Sequence, residues 1–130
     1  MPRTRIIANP LPEKDIIAFG SAEEAWFWFI RSERARMEGA RLSRDASDTT
    51  RPCEPDDIYR AVMRLHQKRV IGRHHLKTLA RFGWRECPPD SRVRQEQYDV
   101  QLWDDALDRL TTELKAKGIV EHEQNTGQSA

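Results

Sequence analysis

Residues 55–83 read PDDIYRAVMRLHQKRVIGRHHLKTLARFG, and the apolar side chains of this stretch recur at helical spacing. The first half places four side chains on one face: Ile58, Val62, Leu65 and His66. The second half, from about Arg73 to Phe82, places three inward: Leu76, Leu79 and Ala80. Gly72 separates the halves, and Gly83 is the residue type that most often ends a helix. The stretch therefore predicts two helices joined at a turn that contains glycine.

A first helix is predicted before this stretch. Ser21 followed by Glu24 forms a capping box, which satisfies two backbone N–H groups at a helix start. No proline follows that would stop this helix before about Leu42. Its stripe facing the core should consist of four residues: Trp26, Phe29, Ile30 and Met37.

A last helix is predicted from about Gln95 to Lys117. It carries five apolar residues at spacings of 3, 4, 3 and 4: Val100, Trp103, Leu107, Leu110 and Leu114. Gly118 and Ile119 should end it in a Schellman turn, in which glycine takes the left-handed position. No segment alternates polar and apolar residues long enough to predict a strand. We therefore expect an all-α fold, a small bundle of about four helices.

The chain of 130 residues is short enough for one domain. Residues 1–20 contain three prolines and should form an extended N-terminal arm. Residues 21–119 should form a single helical domain, and the polar residues 120–130 a flexible C-terminal tail. This length and organisation exclude the large multi-domain enzyme classes.

The formal net charge of +1 conceals an uneven distribution along the chain. Residues 58–94 hold ten basic and two acidic side chains, a balance of +8. The residues before them have a balance of −2, and the residues after them a balance of −5. A basic block between acidic ones indicates a surface that faces a polyanion.

The outward faces of the two central helices carry much of this basic charge. The helix before Gly72 presents Arg60, Arg64 and Lys68. The helix after Gly72 presents Arg73, Lys77 and Arg81, with His74 alongside. Two basic helices joined at a glycine-containing turn resemble the helix-turn-helix units of small bacterial and phage DNA-binding regulators. The resemblance covers residues 58–83 and departs from the phage-repressor pattern at Lys68, Thr78 and Arg81. It therefore implies a divergent helix-turn-helix-like unit, either trihelical or winged.

In such proteins the second helix enters the major groove of double-stranded DNA, and neighbouring basic residues contact phosphates. The resemblance implies duplex DNA as partner and transcription regulation as role. Nine residues become candidates for DNA binding: Arg73, His74, Lys77, Arg81, Arg60, Arg64, Lys68, Arg69 and Arg85. In the alternative interpretation, the basic face only solvates an ordinary bundle.

The aromatic run Ala25–Ile30 gives the first helix apolar side chains on every side. Phe27 and Trp28 point away from the stripe that faces the core. In one interpretation, the N-terminal arm or the last helix covers them. In the other, they form an interface for a homodimer or a protein partner, and the chain is an adaptor, an inhibitor or an assembly subunit.

Other kinds of site find little support in the sequence. Cys53 and Cys87 lie far apart, and no spacing typical of a zinc site joins them to the histidines, so we expect no metal and no cofactor. The chain has no glycine-rich phosphate loop and no Gly-x-Ser-x-Gly nucleophile motif. The aspartates 104, 105 and 108 are more simply a solvated acidic face than a catalytic group. We therefore do not expect an enzyme.

The expected environment is cytoplasmic. Two cysteines cannot form a disulfide framework, and no apolar segment follows the N-terminal arginines as it would in a secretory signal. The apolar stretch Trp26–Ile30 has only five residues, too few to span a bilayer.

Overall fold

The computed structural model describes residues 16–39 and 50–122 of the chain. These residues form four α-helices: α1 Ala22–Met37, α2 Pro55–Gln67, α3 Arg73–Arg85 and α4 Gln97–Ala116. A short 3-10 helix, Arg94–Glu96, leads directly into α4. Within the described ranges there is no β-strand, only two isolated bridges. The predicted all-α bundle of about four helices is confirmed. None of these helices has the length and hydropathy that crossing a bilayer requires.

The start of α1 follows the predicted cap with one difference. The Ser21 hydroxyl accepts a hydrogen bond from the Glu24 N–H at 3.1 Å. The Glu24 carboxylate accepts from the N–H of Gly20, not from that of Ser21, at 2.8 Å. The two side chains thus satisfy two backbone donors, but the second donor lies one residue earlier than a capping box requires.

The predicted end of α1 at about Leu42 is wrong, because the helix stops at Met37. Gly39 adopts a left-handed conformation with a φ of 75°, and its N–H donates to the Arg36 carbonyl. This turn releases the chain from the helix before the predicted end. Met37, which we expected to face the core, is 70% exposed as a result.

The predicted Schellman turn at the end of α4 is confirmed. Gly118 has a φ of 77°. The Ile119 N–H donates to the Leu114 carbonyl at 2.9 Å, and the Gly118 N–H to the Lys115 carbonyl at 3.0 Å. These are the two bonds that define the motif. Ile119 and Leu114 are both buried, as the expected contact between them requires.

The core forms where all four helices meet. α4 packs on each of the other three helices, and α1 packs on α2 and α3. The largest fully buried side chains come from α2, α3, α4 and the segments before α1 and after α4: Phe19, Phe82, Ile58, Leu79, Leu110, Leu114, Val62 and Val120. α2 and α3 make little direct contact with each other, so α1 and α4 hold them in place.

The segment before α1 contributes to this core by pairing with the opposite end of the described chain. Phe19 N–H donates to the Ile119 carbonyl, and Glu121 N–H donates to the Phe19 carbonyl, each at 2.9 Å. The pairing places the Phe19 ring in the core beside Val120, and both side chains are buried.

Gly83 does not end α3 as the sequence predicts, because the helix continues to Arg85. The left-handed residue that ends it is Glu86, with a φ of 55°. The inward face differs accordingly, since Thr78 and Phe82 are buried whereas Ala80 is exposed. Gly83 is itself buried inside the helix.

Close packing against α1 explains why a glycine occupies this position. The Trp26 indole N–H donates to the Leu79 carbonyl of α3 at 2.9 Å in the buried core. A Cβ at Gly83 would lie 2.6 Å from Trp26 Nε1 and 3.0 Å from Cγ1 of Ile30. Gly83 is therefore the point at which α1 and α3 approach each other, and the absence of its side chain permits the indole hydrogen bond.

We predict that Gly83→Ala destabilises the fold by about 2–3 kcal/mol, although alanine is the better helix former by about 1 kcal/mol. Overpacking costs about 1–3 kcal/mol, and a displaced indole N–H loses its acceptor in the core. Chemical denaturation monitored by circular dichroism measures the change.

Gly72→Ala serves as the matched control, because a Cβ there would approach nothing closer than His75 Nδ1 at 4.0 Å. It should cost less than about 1 kcal/mol. Equal stability of Gly83→Ala and the unmodified protein would contradict the packing role.

Candidate nucleic-acid interface

α2 ends in a Schellman turn in which the left-handed residue is not a glycine. Arg69 has a φ of 62°. Its N–H donates to the His66 carbonyl at 2.9 Å, and the Val70 N–H donates to the Leu65 carbonyl at 2.9 Å. A left-handed conformation costs an L-residue roughly 1–2 kcal/mol, which glycine would avoid. An arginine side chain is thus held at the turn between the two basic helices at some cost in stability.

His75 fixes the start of α3 against α4. The Gly72 N–H donates to His75 Nδ1 at 3.0 Å, so this nitrogen must be an unprotonated acceptor. The other ring nitrogen, Nε2, therefore carries the hydrogen and donates to Asp105 Oδ2 at 2.7 Å. The neutral imidazole caps one backbone donor of α3 and joins its first turn to α4 at the same time.

All nine residues predicted to bind DNA are exposed. They extend from the outer face of α2 through the turn to the outer face of α3. They differ in whether they form an ion pair with a carboxylate. Three arginines have carboxylate partners: Arg60 with Asp57 at 3.0 Å, Arg81 with Asp99 at 3.8 Å and Arg85 with Glu96 at 3.6 Å.

Five other cations form what we call the basic strip: Arg64, Lys68, Arg69, Arg73 and Lys77. None of them has an ion pair with a described residue. The strip runs from the last turn of α2 across the connection to the first half of α3. His74 lies exposed beside it. A row of cations without carboxylate partners is the electrostatic footprint of polyanion binding.

Trp84 is a surface residue that the sequence analysis did not place on a helix. The predicted stop at Gly83 left Trp84 in the following loop, whereas the structure places it in the last turn of α3. Its side chain is 44% exposed. The predicted helix already included Phe82, so the apolar spacing gave no signal that the helix continues past Gly83.

Phe27 and Trp28 are half-buried and pack on the two elements that one of our interpretations named. The Phe27 ring centroid lies 5.6 Å from that of Trp103 in α4. The Trp28 ring centroid lies 5.1 Å from that of Phe19, in the segment before α1. These contacts favour the interpretation in which the N-terminal segment and α4 cover the aromatic run.

Cys53 lies in an open concavity of about 310 Å³ together with Arg60, Arg64 and Lys117. Burial, together with the nearby carboxylates of Asp57 and Glu54, raises the pKa of the Cys53 thiol to about 11. The thiolate is the form that attacks electrophiles and binds metals, and at neutral pH very little of it is present. Within residues 16–39 and 50–122, no group of three or more His, Cys, Asp or Glu side chains could hold a metal ion.

Comparison with known proteins adds no identity to this surface. No family model, no curated protein and no solved structure matches the chain.

Two substitutions at Arg69 distinguish the effect of its charge on stability from the effect of its strained left-handed backbone. Arg69→Gly removes the guanidinium and the strain together, and we predict that it raises the free energy of unfolding by about 0.5–1 kcal/mol. Arg69→Ala removes the same charge but keeps a Cβ in the left-handed conformation, so it should not stabilise the protein. Urea denaturation of the two variants measures the difference, and a less stable Arg69→Gly variant would contradict the proposed strain.

Proposed function

We propose that this protein binds double-stranded DNA through the basic strip and acts as a transcriptional regulator. The observation that carries the proposal is the continuity of the strip. Five cations without carboxylate partners among the described residues follow one another across α2, the connection and α3. Other exposed arginines of the described chain, such as Arg36 and Arg92, lie within ion-pair distance of a carboxylate, whereas these five cations do not.

The arrangement of the strip suits a duplex. α3 has 13 residues and is about 20 Å long, which matches the short helices that enter a major groove. Arg73 and Lys77 project from its first half, where a recognition helix contacts base edges. Arg64 lies in the last turn of α2 and Lys68 directly follows this helix, from which phosphate contacts would fix the orientation of the protein.

The three paired arginines have a smaller part in this proposal. Arg81 and Arg85 lie within ion-pair distance of Asp99 in α4 and Glu96 in the 3-10 helix, so they hold α3 in position. Contact between these arginines and DNA would require each of them to leave its carboxylate partner. We therefore assign binding mainly to the basic strip and positioning of α3 to Arg81 and Arg85.

A protein-interaction module remains the second candidate, with α1 as its surface. It has less support, because Phe27 and Trp28 are already in contact with Trp103 and Phe19. Sedimentation of the protein alone reports on this candidate directly.

The first test is binding to mixed-sequence duplex DNA at two salt concentrations. Neutralising about five phosphates releases counterions, so affinity should fall by about 10²–10³-fold between roughly 50 and 200 mM salt. Fluorescence anisotropy of a labelled duplex measures this dependence. Absence of duplex binding at the lower salt would overturn the proposed function.

A matched pair of variants on α2 tests which cations bind. Arg64→Ala removes a cation of the basic strip and should lower the salt slope by about one. Arg60→Ala removes the same charge one turn away, from an arginine that already pairs with Asp57, and should change the slope much less. Equal effects would show that DNA responds to net charge alone and that the basic strip is not the binding surface.

A further inference from the structure

Trp84 is the tryptophan that the fold leaves on the surface. Of the four in the chain, Trp26 and Trp103 are buried, at 5% and 3% exposure, and Trp28 is half-buried. Trp84 is 44% exposed. Exposing a large aromatic ring to water is unfavourable, and such rings on a surface are typical of contact sites.

Side chains of α1 hold the exposed ring in place. The Arg34 guanidinium lies over the Trp84 ring, 4.6 Å from its centroid, and donates a hydrogen bond to the Trp84 carbonyl. Arg34 also pairs with Glu86, which lies in a left-handed conformation directly after α3. The indole is therefore supported from one side by a cation that is itself fixed.

The outward face of α3 places this ring in line with the basic strip. Arg73, Lys77, Ala80 and Trp84 follow one another at spacings of 4, 3 and 4, which keeps them on one helix face. All four are exposed. Trp84 lies about 10 Å along the helix from Lys77. Ala80 and Arg81 lie between them, and Arg81 pairs with Asp99.

Nucleic-acid bases offer an aromatic ring a stacking surface whatever their sequence, but inside a duplex those surfaces are covered by neighbouring base pairs. A ring next to a phosphate-binding row can therefore stack only on a base that has left the duplex. Building on the proposed function, we propose that Trp84 stacks on an unpaired base beside the bound duplex, with Arg34 supporting the opposite side of the indole. The preferred ligand is then a duplex that carries a single-stranded extension.

The experiment compares three DNAs that share one duplex: blunt-ended, with a short 5′ or 3′ extension, and with the same extension made abasic. The extension with bases should bind the unmodified protein about tenfold more tightly than the blunt duplex. The abasic extension, which keeps the phosphates, should give no such gain. Tryptophan emission should be quenched by the extension with bases and not by the blunt duplex.

Two variants assign the gain to the ring. Trp84→Ala should lose the gain and keep its affinity for the blunt duplex, whereas Trp84→Phe should retain most of the gain because it keeps an aromatic ring. Circular dichroism shows whether each variant is folded. The quenching should disappear in Trp84→Phe, which leaves the other three tryptophans unchanged, and this comparison decides the question if Trp84→Ala does not fold.

Different failures point to different errors. If no DNA binds, the proposed function falls and this inference falls with it. If blunt and extended duplexes bind equally and extension causes no quenching, base stacking is wrong while duplex binding stands. If Trp84→Ala weakens all three DNAs alike, the ring supports α3 or contacts the backbone. If it changes only self-association in sedimentation, Trp84 belongs to a protein interface; either result overturns stacking.

Discussion

The packing of α1 on α3 depends on an indole ring that lies against a helix position without a side chain. Trp26 of α1 lies against Gly83 of α3 and donates to the Leu79 carbonyl. A buried indole N–H needs an acceptor, and here the acceptor is backbone that only a glycine leaves accessible. The contact fixes which face of α3 is inward. The opposite face, which carries part of the basic strip and Trp84, is thereby turned to solvent.

Signals that act between near neighbours in sequence were predicted well. The helical spacing in α2 and α4, the Ser21 cap and the Schellman turn at Gly118 all depend on residues within one or two turns of each other. The predicted helix end at Gly83 was wrong because glycine serves both as a helix stop and as a site of close packing. Only the position of Trp26, far away in the chain, distinguishes the two uses.

In the candidate site too, features set by neighbouring residues could be predicted from the sequence, and features set by distant residues could not. The exposure of the seven residues that were assigned to helix faces follows from the helical period, and the structure agrees. Which of them are paired does not follow, because Arg81 and Arg85 find their carboxylates after a loop, in Asp99 and Glu96. The left-handed Arg69 was also outside the reach of pattern reasoning, which assigned the turn to Gly72. Gly72 instead precedes the first residue of α3.

The pairing of Phe19 with the segment after α4 has a consequence for how the molecule is made. A ribosome releases the chain from its N-terminus, so Phe19 emerges early and its partners Ile119 and Val120 emerge after all four helices. Until then the aromatic ring lacks the strand-like neighbour that covers it. The helices can form during synthesis, but the core closes only when the last of them has left the ribosome. Truncation before residue 119 would therefore leave a nascent chain with an open core rather than a shorter stable domain.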